Sequence, residues 1–219
     1  EQTSRVSVGP NEAEANDGSY YPTISADGRY VAFQSSAENL VVDDTNTNSD
    51  TFVHDRVTKK TFRVSVDSNQ MQGDGGSFHP KISADGRYVA FVSDAPNLVA
   101  DDTNYVSDSF IRDLKTNQTT RVSISSSGEQ QNNDSFDLHL SADGRYVAFE
   151  SFADNLVDGD TNNAIDTFVH DCWRHKTVRV SVSSNGTQGD KDSIAPRLSA
   201  DGRYVLFESR ASTLAPARA

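Results

Sequence analysis

A ten-residue phrase recurs four times at an unbroken interval of 58 residues: ISADGRYVAF at 24–33 and 82–91, LSADGRYVAF at 140–149, and LSADGRYVLF at 198–207. Arg5, Arg63, Arg121 and Arg179 keep the same interval inside T-x-R-V-S, as do Ser19, Ser77, Ser135 and Ser193 ahead of the phrase. A fixed interval without insertions marks a repeat architecture, in which one supersecondary unit covers its apolar faces only by stacking on its neighbours. Residues 1–219 then form one repeat domain: an N-terminal outer strand and loop (1–23), repeats 24–81, 82–139 and 140–197, and a partial repeat 198–219. At 35% hydrophobic residues such a chain can bury a core.

Within residues 78–124, FHPKIS and YVAFVS flank a turn containing Asp-Gly, a strong hairpin signal in which Gly86 supplies the positive φ. YVAFVS lacks strict alternation, as expected of a strand covered on both faces. A turn-rich stretch leads to a third strand in SFIRDL and a fourth in TTRVSI. There Val122 and Ile124 face inward, and Arg121 and Ser123 are expected on a wet outer edge. Four short strands per unit predict an all-β fold, a β-propeller of 58-residue four-stranded antiparallel blades, about four blade equivalents in all. The count is fifteen strands, one short of four full blades. Either residues 1–8 complete the last blade around a partner such as STLAPARA, or the chain is part of a larger ring.

The pattern P-x-I-S-A-D-G-R-Y-V-A-F, then D-T-N-x-x-x-D-x-F-V-x-D and T-x-R-V-S-V, resembles the TolB-like, WD-repeat-like propeller repeat of the P-D-G class, over essentially the whole chain. Ala stands where that class often has Pro. The resemblance implies a propeller and leaves activity open, since propellers serve as enzymes, lectins and scaffolds.

Charge and cysteine usage narrow the partners. A formal net charge of −12 and no basic cluster argue against nucleic acid. No apolar run approaches a membrane span, and no N-terminal segment resembles a signal peptide. Cys172 is the sole cysteine, which excludes an intrachain disulfide and a multi-cysteine zinc site. Few lysines and abundant Ser, Thr, Asn and Asp point to a secreted, cell-surface or periplasmic protein.

The loop between the second and third strands offers Asp-x-Asn-x-x-x-Asp three times: Asp44, Asn46 and Asp50, with Asn48 between; Asp102, Asn104 and Asp108; Asp160, Asn162 and Asp166. Oxygen ligands at this spacing suit Ca²⁺, and two carboxylates crowded in one loop repel unless a cation sits among them. The competing reading is that Asp and Asn build Asx-turns. The loop into each next unit carries Asn16, Asp74, Asn132 and Asp190 in register and is expected on the same face, capping turns. No catalytic motif is present. His54 and His170 share a register with Arg112, which suggests a solvent-facing position. Cys172 and Trp173 fall in an exposed turn, where Trp173 could anchor a partner. Two functions remain: a non-catalytic, calcium-stabilised propeller that binds a protein or glycan partner, or self-associates to complete its ring; or a glycan-active or other enzyme propeller. A funnel-facing cluster of acids or arginines from different blades would favour the second.

Overall fold

The computed structural model describes residues 3–215. Three antiparallel meanders succeed one another along the chain. The first holds β1 (Ser19–Ile24), β2 (Tyr30–Ser35), β3 (Asp50–Asp55) and β4 (Lys60–Arg63). The second holds β5 (Ser77–Ile82), β6 (Tyr88–Ser93), β7 (Asp108–Asp113) and β8 (Gln118–Arg121). The third holds β9 (Ser135–Leu140), β10 (Tyr146–Ser151), β11 (Asp166–Asp171) and β12 (Lys176–Arg179). A two-stranded sheet, β13 (Ser193–Leu198) and β14 (Val205–Ser209), comes last. Each innermost strand touches the next, β1 to β5, β5 to β9 and β9 to β13, so the sheets stack about an axis without closing a ring.

The recurring phrase makes the contact between blades. Ser25 Oγ donates to Asp27 and accepts from the Tyr30 N–H, which closes the hairpin. Gly86 has φ +73°, and the Tyr30 ring of the preceding blade lies where its Cβ would be, 2.3 Å from Tyr30 Cδ2. The alanines form a line of hydrogen bonds across the stack: Ala26 N–H to Ala84 O (2.8 Å), Ala84 N–H to Ala142 O (2.9 Å) and Ala142 N–H to Ala200 O (2.9 Å). Proline has no N–H to give, which explains Ala in this position. The arginine of the phrase reaches the end of the third strand of its own sheet, Arg87 Nε and Nη2 meeting Asp113 at 2.9 and 2.6 Å. Arg29–Asp55 and Arg145–Asp171 repeat this two-pronged pair. The guanidinium holds Asp113 down at about 2.

Cores form between blades. Ala32, Val53 and Val64 of the first blade pack on Val89, Phe91 and Phe110 of the second, and Phe91 stacks on Phe110 at 5.8 Å. Phe33 and Phe149 are buried likewise, and Tyr30, Tyr88 and Tyr146 pack beside these cores. Tyr204 is 67% exposed instead, because no sheet among the described residues covers the outer face of β14.

Three expectations need correction. Residues 3–8 form no strand and do not extend the last sheet; Glu1 and Gln2 lie outside the described residues. Val8 bridges Glu14, as Val66 bridges Gln72 and Ile124 bridges Gln130, so this segment is the equivalent of the loop after an outer strand, and Thr61 Oγ1 of the first blade donates to Val8 O. The suggested partner segment STLAPARA runs partly beyond residue 215, outside the described residues, and its described part is not in a strand. Second, Arg121 and Ser123 are buried, because the β7–β8 pairing turns them onto the loop carboxylates. Third, His54, Arg112 and His170 are buried. Each meets a threonine of the neighbouring outer strand, His54 Nδ1 with Thr61 and His170 Nδ1 with Thr177, both at 2.9 Å, and Arg112 Nη1 with Thr119 at 2.7 Å.

Candidate functional site

The β2–β3 and equivalent loops bring the predicted aspartates together in pairs, around an arginine. Arg121 Nη1 lies 3.2 Å from Asp102 Oδ1 and 2.9 Å from Asp108 Oδ2. Arg179 Nη1 lies 2.9 Å from Asp160 and 3.4 Å from Asp166. Arg63 sits 3.5 Å from Asp44 through Nη2 and 3.4 Å from Asp50 through Nε. The cation that paired carboxylates require is thus the arginine of T-x-R-V-S from the same sheet. All three side chains are at most 9% exposed, and the Nε of each lacks a hydrogen-bond acceptor.

The other donors of the loop are also spoken for. Asp108 accepts from Ser123 Oγ and Asn104 Nδ2, and Asp166 from Ser181 Oγ and Asn162 Nδ2. Ser65 Oγ and Gln72 Nε2 donate to Asp50, whose burial pushes its carboxyl up to about 6. Burial likewise raises Asp102 and Asp160. Asn46, Asn104 and Asn162 accept the N–H two residues on, at 3.0, 3.4 and 3.0 Å, which is the Asx-turn, and donate to Gly73, Gln131 and Gly189 carbonyls. Asn48 Nδ2 donates to Asp74 O. Among the described residues no group of three or more His, Cys, Asp or Glu is placed to hold a metal ion. As folded, the pairs fit a guanidinium better than Ca²⁺, whose six to eight oxygens would need lone pairs that already accept protein donors.

The loop into the next blade lies on the same face. Asn16, Asn132 and Asp190 accept the Glu38, Asp154 and Ser212 N–H, which caps the β2–β3-type turns. Asp74 instead uses its backbone N–H, to Asn97 Oδ1. Gln72, Gln130 and Gln188 reach back to the aspartate loop, Gln130 and Gln188 to Thr103 and Thr161, and Gln72 Nε2 touches both Asp44 (2.9 Å) and Asp50 (3.2 Å). Their recurrence at 58 residues was the signal that could have found them.

A second cluster forms at the axis, where the inner strands differ most. One register carries Thr23, Lys81, His139 and Arg197, and the register two residues earlier Tyr21, His79, Asp137 and Ala195. Asp137 of β9 lies 3.8 Å from Lys81 Nζ of β5 and 3.0 Å from Arg197 Nη1 of β13. His139 Nδ1 accepts the Leu198 N–H at 3.1 Å, which leaves the proton of the neutral ring on Nε2. Burial, then the Arg197 and Lys81 charges, lower His139, and burial lowers His79 and Lys81. Bulges at Tyr21, His79 and Ala195, with φ between 51° and 54°, turn this stretch of strand; Gln34 and Glu150 of the preceding blades accept the His79 and Ala195 N–H. Burial raises the Glu150 carboxyl.

Solved structures share the stack of blades. TolB from Acinetobacter baumannii superposes with a TM-score of 0.51 at 18% identity, over 90% of this chain and 39% of that one. A TolB candidate from Agrobacterium tumefaciens gives 0.51 at 17% identity, over 88% and 59%. The chain has a β-propeller fold like that of TolB. A prolyl endopeptidase structure, at 0.52 and 14% identity over 87% and 26%, shares the same blade stack. The chain spans less than two thirds of the length of these structures. No protein-family model and no curated protein matches it. No helix among its described residues is long and apolar enough to cross a membrane.

Cys172 and Trp173 divide on inspection of the TolB-like fold. Trp173 is 60% exposed under Arg145, whereas the Cys172 thiol packs on the core between the second and third blades, and burial pushes it up to about 12. The thiol is therefore inert at neutral pH.

Proposed function

We propose that this chain is a non-catalytic binding module of a secreted or periplasmic protein, taking a protein or glycan partner at its axial face. One observation carries the reading: the Ser-Ala-Asp-Gly-Arg-Tyr-Val phrase that builds each hairpin recurs unchanged in every repeat, while the axial register changes from Thr23 to Lys81, His139 and Arg197. Repeats that keep a common frame and vary where they converge present a composite surface, suited to recognising polar and charged groups. Titration calorimetry of the whole chain against acidic and neutral oligosaccharides and peptides tests it. Binding that Lys81→Ala and Arg197→Ala both weaken supports the reading; binding that neither changes overturns it.

The same cluster favours a second reading, an enzyme propeller, because it joins an acid, two cations and a neutral imidazole from three blades. Turnover of any such oligosaccharide or peptide that Asp137→Asn abolishes would decide for catalysis. Calcium stabilisation enters the first reading through the three loops, where the ion would have to displace arginine and amide donors from Asp44, Asp102 and Asp160. A melting temperature raised by saturating calcium and lowered by chelator supports it. Unchanged melting leaves the arginines as the loop cations.

A further inference from the structure

The repeats serve as controls for one another, and the first blade departs from the others along its outer strand. A groove of about 810 Å³ runs along its outer strand β4, between Pro10, the 40–45 loop and the 70–72 segment. Only here are three of its walls all large and apolar: Val42, Phe62 and Met71 stand where the second blade has Ala100, Thr120 and Glu129 and the third has Asp158, Val178 and Thr187. Val42 is 87% and Met71 64% exposed. The rim differs too. Lys59 and Lys60 line the groove where the second blade has Asn117 and Gln118 and the third has His175 and Lys176, so two adjacent lysines make a cationic edge on a chain whose formal net charge is −12.

The backbone of β4 is also left open. In the second blade the Thr119 N–H donates to Ser68 Oγ, and in the third the Thr177 N–H and C=O are both bonded by Ser126 Oγ. The residue in that register for the first blade is Pro10, which has no hydroxyl, and among the described residues nothing bonds the N–H or C=O of Thr61, which lines the groove. Gln70 at the far wall holds φ +70°, where Gly128 and Gly186 stand in the other blades.

We propose that this groove binds a short extended peptide segment that carries an apolar side chain flanked by acidic ones. The apolar group would sit among Val42, Phe62 and Met71, a carboxylate beside Lys59 and Lys60, and the peptide backbone against Thr61, in the manner of strand addition to a sheet edge. The site is separate from the axial face and does not depend on the function proposed above.

The test uses the whole chain and three blocked pentapeptides, Glu-Val-Phe-Val-Glu, Lys-Val-Phe-Val-Lys and Glu-Ser-Ser-Ser-Glu, titrated by NMR. The acidic apolar peptide should bind at least roughly tenfold more tightly than either control, with shifts centred on Thr61 and Met71. Methylating its central backbone nitrogens should weaken it by a similar factor. The variant Val42→Ala/Phe62→Thr/Met71→Glu, which gives the first blade the residues of the second, should lose the binding; Lys59→Asn/Lys60→Gln should lose the preference for acid. Phe62 also packs on the core of the next blade, so Met71→Glu alone serves if the triple variant melts early. Equal binding of the three peptides, no shift at about millimolar peptide, or binding kept in Met71→Glu overturns the proposal.

Discussion

His54, Arg112 and His170 occupy one register, and each is buried against a threonine of the neighbouring outer strand. Arg112 meets the same demand with a charge, held by the Val66 and Asp67 carbonyls and Thr119, and burial lowers it. His170 is held neutral by burial, down at about 4. Once unfolded it takes up a proton near 6.5, so its contribution is complete above that pH and is lost as the pH falls toward 4. The stability of the wild type relative to His170→Gln should therefore drop by about 3 kcal/mol between pH 7 and 4, read from urea unfolding. A pH-independent difference would mean that the ring is solvated. Gln70, left-handed at φ +70°, gives the opposite expectation: Gln70→Gly should stabilise the chain by about 1 kcal/mol in the same assay.

At the level of the element, the Ala-Asp-Gly-Arg turn does more than close a hairpin. Ala84→Pro would remove the N–H that bonds Ala142 O and leave that carbonyl uncapped, so its melting point should fall by the equivalent of about 1–3 kcal/mol. The loops predicted to be metal sites depend on the outer strand as well. Replacing Arg121 by Leu leaves Asp102 and Asp108 buried and facing one another without a cation, a change of about 3–5 kcal/mol in unfolding free energy. Were calcium the cation of that loop, Arg121→Leu would cost little in saturating calcium. Phe91→Ala, which empties a fully buried position stacked on Phe110, should cost about 3–5 kcal/mol by denaturant unfolding.

For the whole molecule, the consequence is that this chain ends in two unlike apolar faces. Tyr20 and Ile24 are 58% and 57% exposed on the first sheet, and Tyr204 and Leu206 are 67% and 72% exposed on the last. The equivalents of Leu206, Ala32, Ala90 and Ala148, are completely buried between blades. Faces of opposite kind associate head to tail. Sedimentation of the 219-residue chain should show concentration-dependent association that Leu206→Glu with Tyr204→Lys suppresses; a monomer at every concentration would show that the end faces are not sticky enough to pair.

The 58-residue period, the Asp-Gly turn and the unbroken apolar second strand were enough to determine an all-β stack of four-stranded blades, because those features act through neighbours in the same unit. The pairing of Asp44 with Asp50 across one loop was legible for the same reason. What Arg63, Arg121 and Arg179 do was not, since strand alternation marks them as outward and only the β3–β4 type of pairing, with the next loop folded over it, turns them onto the carboxylates. Nor could the sequence place Lys81, Asp137 and Arg197 together: they lie on three strands of three blades, and the rotation between consecutive sheets decides which of their side chains meet at the axis.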